Sequence, residues 1–325
     1  MIRTAANLQQ SVVSRIHGQR ARRTSASVGI ALCYHRIDDP PGDPEQELVP
    51  ALGSDRFAEQ VEMLASRYEP VLASDLRDAA ASRRPGRRIP VAITFDDDLS
   101  THARKAMPVL LRAGVPATFF VSGASLEAPF AFWWERLQRA WDRGLVDGSW
   151  LRGVGLGCVA ADPSIHAVAA AIEGLDPGER DHVAAALASL VGADGSDCGM
   201  RAADVRELAA AGFEIGFHTR RHDRLPDLDD DALARALSDG REDLERAVGG
   251  PLRSVSYPHG KADGRTGRAA RAAGFDSGFA AGGRAVGEID DPHLIDRGYP
   301  ASGDVRGFDR HLAGKLWQVV GETSG

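Results

Sequence analysis

The chain has 325 residues, 43% apolar and 26% charged, which is enough apolar content to bury a core and excludes a disordered chain. Three cysteines (Cys33, Cys158, Cys198), odd in number and without Cys-x-x-Cys spacing, exclude a disulfide framework and a cysteine-based zinc site, leaving His and carboxylate as metal ligands. The net charge of −7 becomes −12 once the five arginines of the acid-free residues 1–27 are set aside, and so acidic a body excludes nucleic acid as its partner.

Residues 1–27 are a basic N-terminal arm carrying Arg3, Arg15, Arg20, Arg22 and Arg23. Leu8, Val12 and Ile16 recur at the spacing of one helical face. Three readings of the arm stand side by side: a loosely docked terminus, a peripheral membrane contact in which arginines meet anionic headgroups, and an organellar targeting segment. The arm has no apolar run of signal-peptide length, and no stretch of the chain approaches the roughly 18 apolar residues of a membrane span. The expectation is therefore a cytoplasmic protein, membrane-associated if the arm docks.

From residue 28 to about 320, short β-branched runs alternate with helical patterns, the mark of an α/β fold with a parallel sheet. Strands are expected at 28–34, 91–95, 115–121, 213–217, 254–257, 275–279 and 293–296. Helices are expected at 55–67, 101–113, 203–211, 231–248, 264–273 and 304–319. Ser54 and Asp229 or Asp230 stand where N-caps belong, and Gly114, Gly212 and Gly274 where helices end.

The alternation breaks at about 128–200, which reads as a mostly helical insertion. It opens on Phe130, Trp133, Trp134, Leu137 and Trp141 and continues into an Ala-rich run over 166–191. The aromatic stripe is either core or a wall on which a sugar ring stacks, with Trp134 the candidate contact.

Three segments carry the chemistry, each an expected strand running into polar residues. Val91-Ala92-Ile93-Thr94-Phe95 leads into Asp96, Asp97 and Asp98, three carboxylates whose repulsion calls for a cation or solvent. In parallel α/β folds the C-terminal strand ends carry the site; the plainer reading is an N-cap loop opening helix 101–113. Phe213-Glu214-Ile215-Gly216-Phe217 leads into His218 and His222, whose spacing of four brings both to one ion if the chain turns helically there. Among ten histidines that spacing also arises by chance; the position at a strand end is what raises it. Ser254-Val255-Ser256-Tyr257 leads into Pro258-His259-Gly260, a fixed turn that either aims backbone N–H groups into a site or merely ends the strand.

In this order the segments resemble the polysaccharide deacetylases of the NodB type (carbohydrate esterase family four-like). They supply a Thr-Phe-Asp-Asp strand end, then His-Thr-x-x-His, then a Tyr-Pro-x-Gly turn. Leu32-Cys33-Tyr34-His35-Arg36 is similar to the first strand of the family's Tyr-His-Arg branch, and Val115–Val121 to a core strand. The resemblance covers about 28–127 and 200–300.

It implies a distorted (β/α) barrel of about seven strands. It implies Asp97, His218 and His222 as ligands of a divalent metal, zinc first, and Asp96 as general base, with the oxyanion resting on the metal and on a backbone N–H near Tyr257 and Pro258. The reaction implied is removal of N-acetyl groups from an amino-sugar-containing polysaccharide, glycan or glycolipid precursor, with carbohydrate as the partner.

Three features depart from the pattern. Asp98 replaces the usual Gly and adds charge and bulk beside the base. Ser256 stands where many members have an Arg, and Arg297, on the last strand, is the candidate to steady the base instead. The usual last-strand Leu-x-His reads Pro292-His293-Leu294, so the proton donor passes to His35, with His259 second. These departures keep two other readings open: a small-molecule amide, imide or ester hydrolase on the same barrel, and a catalytically weakened carbohydrate-binding protein.

Overall fold

The computed structural model describes residues 27–159, 161, 163–282, 286–288, 291–300 and 303–322. The basic arm up to residue 26 lies outside them, and with it the expected arm helix.

Seven parallel strands form the wall, in the order β1 (Val28–Tyr34), β3 (Pro90–Phe95), β4 (Thr118–Val121), β5 (Glu214–Phe217), β6 (Ser254–Ser256), β7 (Ser277–Ala280) and β9 (Ile295–Asp296). The ring is nearly closed by the residues after β9. There Leu32 pairs in parallel with Gly298, Cys33 N–H donates to Gly298 O at 2.9 Å, and Gly298 N–H donates to Ala31 O at 3.0 Å. This is the distorted (β/α) barrel that the resemblance implied. Its strands are short because β1 and β3 alone hold long apolar runs. Every residue of both is buried, as strands covered on two faces require.

Two more strands sit on the rim. β2 (Glu69–Val71) pairs with the start of β3, and β8 (Val286–Glu288) runs antiparallel to the start of β1. At three residues each they are too short to show a period in the sequence. The helix expected at 231–248 is two helices, Asp230–Ala236 and Arg241–Val248. The break falls at Gly240, whose φ of 80° suits glycine and whose missing Cβ would lie 2.8 Å from the Arg220 side chain. The helix expected at 101–113 opens with a wide π-helical turn over His102–Ala106 before Met107–Ala113.

Between β4 and β5 the described residues make five α-helices: four in the insertion, Trp133–Asp142, Gly148–Gly153, Ile165–Glu173 and Pro177–Val191, and then Ala202–Ala210, which leads into β5; the insertion's four are a layer apart. They enclose a core of their own from Trp134, Leu137, Leu151, Val168, Ile172 and Leu187, separate from that of the barrel. Burying one such side chain stabilises by about 1.5–3 kcal/mol, so this layer holds itself together. It also reaches back to the barrel. Arg36 meets Glu135 at 3.5 Å, Leu48 N–H donates to Gln138 at 3.0 Å, and Arg221 binds both oxygens of Asp181 at 2.9 and 3.1 Å. The helices therefore stand over the C-terminal ends of the strands as one wall of a cleft.

Candidate metal centre and active site

The strand ends converge on a cleft of about 1170 Å³ that reaches Asp96, Asp97, His218, His222, His35 and His259 at its floor. Loop 39–53 and the insertion helices form its outer walls. Parallel register makes this meeting necessary: Phe95 of β3 pairs with Phe119 of β4, whose Val121 pairs with Phe217 of β5, so the residues after each strand emerge side by side.

Asp97 Oδ1 lies 3.5 Å from His218 Nε2 and 3.5 Å from His222 Nε2. One ligand atom from each of the three residues falls within 4.8 Å of the others, and all three side chains are buried. His218 Nδ1 bonds to Ser256 O at 2.9 Å; an N–H there leaves the Nε2 lone pair facing Asp97. His222 has no such support, since its Nδ1 is without a partner. Rings hold it instead: His218, His259 and Trp134 lie with centroids 4.9, 4.6 and 4.5 Å away. Burial, with the imidazoles of His259 and His218 nearby, pushes the His222 pKa down, which favours the neutral, ligating form.

The donor set fits a divalent cation. Asp97 Oδ1 is buried and accepts no hydrogen bond, an expensive state for a carboxylate oxygen unless a cation sits beside it. Two imidazoles and one carboxylate are a borderline set of the kind zinc takes, and they leave coordination positions open.

Asp96 stands beside this trio with a different environment. Arg297 grips it with two nearly parallel bonds, Nη1 to Oδ1 at 2.7 Å and Nη2 to Oδ2 at 2.6 Å. Ser256 Oγ donates to Oδ2 at 2.9 Å and Cys33 Sγ lies 3.4 Å from the same oxygen. Against the cost of burial, the Arg297 charge holds the Asp96 carboxyl far below the usual carboxylate range. Arg297 is itself fully buried and also donates to Thr94 Oγ1 and Ser256 Oγ. Cys33, His35 and Asp96 offer a second trio of donor atoms within 4.8 Å of one another. It is a poor cation site. Asp96 Oδ2 is already surrounded by three donors, a guanidinium occupies the place of the charge, and burial keeps the Cys33 thiol protonated.

Four non-glycine residues have positive φ among those described: Asp97 (72°), Thr219 (52°), His222 (54°) and His259 (57°). All four lie in this site. Left-handed backbone costs about 1–3 kcal/mol per residue and persists where surrounding structure enforces it, so both ligand loops are held in tension around the cation position.

Several expectations change. Asp98 does not crowd the base. Its side chain turns toward the end of β4 and accepts from Ser122 N–H at 2.6 Å, Ser122 Oγ at 2.8 Å and Ser125 Oγ at 3.2 Å. Its carbonyl accepts from Met200 N–H at 2.6 Å, so it ties together both roots of the insertion. Trp134 lines the cleft but presents little of its ring: Phe132 stacks on it at 4.4 Å and 4°, His222 lies against it, and 8% of it is exposed. Tyr257 is fully buried, its hydroxyl donates to His293 O at 2.7 Å, and its N–H donates to Phe279 O at 2.9 Å. Neither of its donors is therefore free for an oxyanion. Pro258, next to it, is buried and has no N–H to give.

His35 and His259 both reach the cleft, whereas His293 is buried with Nε2 bonded to Phe275 O at 2.8 Å. Two features carried no local signal. Glu173, at the end of an insertion helix, lies 3.6 Å from His259 Nδ1. Tyr299, 52% exposed, is the large aromatic at the cleft rim, with its ring stacked on His35 at 5.9 Å. Tyr299 follows Arg297 by two residues, which brings its ring to the rim.

The sequence matches the family model described as polysaccharide deacetylase over residues 83–149 and 182–278, just over half of the chain. No curated protein matches it significantly. Among solved structures it is similar to the deacetylase PplD of Streptococcus pyogenes in complex with acetate (TM-score 0.59, 14% identity, 90% of this chain and 99% of that one). It is also similar to a de-N-acetylase from Aggregatibacter actinomycetemcomitans (0.56, 16%, 86% and 95%) and to IcaB from Ammonifex degensii (0.52, 18%, 89% and 96%). At these identities the likeness is one of fold.

Proposed function

Because the chain belongs to the polysaccharide deacetylase family, whose enzymes remove N-acetyl groups from polysaccharides, we propose that it does so with a divalent cation, zinc first, held by Asp97, His218 and His222. The observation that carries this reading is Asp97 Oδ1, buried, without a hydrogen-bond donor, and 3.5 Å from two imidazole nitrogens. When bound, the cation supplies Lewis acidity toward the acetamide carbonyl and toward water.

The remaining chemistry belongs to the chain. Asp96, kept anionic by Arg297, takes the proton of the attacking water. Oδ1 is the receiving atom, because it holds one hydrogen bond while Oδ2 is surrounded by three donors. His35 and His259 are the proton donors within the cleft, and His259 has Glu173 to orient it. The N–H of His259 takes over the oxyanion role assigned to the region of Tyr257, since the Tyr257 and Gly260 amides donate to Phe279 O and Tyr257 O. Tyr299 supplies the apolar face for a sugar ring. The cleft, far larger than one acetyl group, suits an amino-sugar oligomer or glycan precursor better than a small amide.

The test is acetate release from N-acetylglucosamine oligomers by zinc-loaded protein, beside Asp97→Ala and a chelated sample. Acetate release lost in both and restored to the chelated sample by zinc supports the reading. Zinc bound at one equivalent without acetate release would favour a carbohydrate-binding protein, for which the engagement of His293 by Phe275 O is the one structural argument.

A further inference from the structure

We propose, on the basis of the deacetylase reading, that the insertion turns the cleft into a pocket with a single mouth. Its substrate is then the terminal N-acetylated sugar of a glycan, not a sugar inside a long polymer. The insertion helix Ile165–Glu173 carries this, because it is pinned at one end to the loop after β1 and at the other to the loop after β6.

The residues of that helix that line the cleft are His166, Ala169, Ala170 and Glu173. Their spacing of i, i+3, i+4 and i+7 turns one helical face to the cleft. The opposite face, Ile165, Val168 and Ile172, is buried in the insertion's own core. At the first turn His166 Nε2–H donates to Pro44 O at 3.1 Å. At the last residue Glu173 lies 3.6 Å from His259 Nδ1. The nine residues thus form a bar about 13 Å long with both ends attached to the barrel.

Further bonds make the wall continuous on the side of β1. Leu48 N–H donates to Gln138 Oε1 at 3.0 Å, Gln138 Nε2 donates to Gln46 O at 3.2 Å, and Leu48 and Val49 pack on the insertion core. The loop is stapled on itself, with Gly42 N–H donating to Ala51 O and Leu52 N–H to Arg36 O, both at 2.9 Å. A Cβ at Gly42 would lie 2.6 Å from Ala51 N, so glycine permits this close approach.

The strand ends run around the barrel in the order β1, β3, β4, β5, β6, β7 and β9. The insertion leaves from β4, returns toward β5, and is bonded to the loops after β1 and β6, so it walls five of the seven ends. From the strands past β6, Tyr299 and Pro300 are the described residues that reach the cleft. The mouth lies on that arc, with the exposed Tyr299 ring at its rim.

An enzyme that works inside a polymer must let the chain leave on both sides of the reacting sugar, which takes two mouths. One mouth admits one chain end. The volume agrees, since about 1170 Å³ lies just above the roughly 300–1,000 Å³ of pockets that enclose a small ligand. With the terminal acetamide at Asp97, His218 and His222, the next sugar passes out over Tyr299.

The zinc-loaded full chain and a reducing-end-labelled pentamer of N-acetylglucosamine test this, with tandem mass spectrometry locating each freed amine. A free amine on one terminal sugar is expected, and free amines on interior sugars overturn the proposal. Saturation-transfer NMR with Asp96→Asn reads the same point without turnover, using pentamers that carry a carbon-13 acetyl group on a terminal or on the central sugar. One terminal acetyl group should receive the strongest saturation; equal transfer along the chain, or none, overturns the proposal. Terminal saturation without acetate release from the parent would sink the deacetylase reading and leave the one-mouthed pocket standing. Ala170→Phe, at an exposed position on the cleft face of the helix, should raise KM for the pentamer about tenfold and leave hydrolysis of a small acetyl ester unchanged. An unchanged KM for the pentamer would overturn the placing of this helix beside the bound sugar.

Discussion

Arg297 and Asp96, 201 residues apart in the chain, form a two-pronged, fully buried ion pair at 2.6 and 2.7 Å beside the candidate cation position. The guanidinium makes no bond to Asp97, His218 or His222; its donors go to Thr94, Asp96, Ser256 and Ala280. The guanidinium thus holds the base without touching the proposed ligands. Arg297→Met should lower kcat by about 100-fold or more while zinc content stays at one equivalent. It should also destabilise by about 3–5 kcal/mol, because a buried carboxylate loses its partner. Arg297→Lys keeps the charge without the planar fork and should fall between the two. Metal analysis, urea unfolding and kinetics on the same samples check all three, and loss of zinc in the Met variant would contradict the separation.

Asp98 is a structural anchor in a position where the family usually has glycine. Asp98→Gly leaves the Ser122 N–H and two hydroxyls without their acceptor, so a loss of about 2–4 kcal/mol is expected in urea unfolding. Asp98→Asn keeps one acceptor oxygen and should recover part of it. A glycine variant as stable as the parent would show that the anchor is dispensable.

Tyr299 should separate long substrates from short ones. Tyr299→Ala is expected to raise KM for N-acetylglucosamine oligomers about two- to tenfold, in line with the 0.5–1.5 kcal/mol of an aromatic contact. Hydrolysis of a small acetyl ester should be unaffected, and Tyr299→Phe should behave as the parent. An equal effect on both substrates would place the residue in the chemistry rather than in sugar binding.

Glu135 links stability to pH. Burial pushes its carboxyl up to about 7 despite Arg36 nearby. A carboxyl with a raised pKa favours folding while protonated. Its contribution is full below about 4.5, the unfolded value, and is lost as pH rises through about 7. Glu135→Gln should thus be neutral near pH 4 and stabilise at pH 8 by on the order of 2–3 kcal/mol, offset by the lost Arg36 contact. Melting temperatures of parent and variant that run parallel across that range would refute the shift.

Strand ends, and the residues the fold brings together there, were legible because each lies within a single local run: apolar residues of β3 lead into Asp96 and those of β5 into His218. The barrel's closure was less so, since the Leu32–Gly298 pairing leaves no periodic trace. The sequence leaves Trp134 open between core and stacking wall and places an oxyanion N–H near Tyr257, because burial and hydrogen-bond partners are not visible in it. The direction of Asp98 depends on Ser122 and Ser125, which come from another strand's end. The positive φ values of Asp97, Thr219 and His222 fall on residue types that give no hint of them. Glu173 reaches His259 across an insertion whose path no local pattern describes.

Barrel closure has a temporal consequence. The three ligand residues, Asp97 to His222, emerge from the ribosome with about a third of the chain still to come, whereas Arg297 arrives on the segment that seals the ring at Gly298. The residues proposed to hold the cation are thus complete in the chain well before the residue that holds the base. A chain clipped before Arg297 would keep the proposed ligand residues and lose the guanidinium that holds Asp96, so the last strand carries a part of the site that no earlier strand supplies.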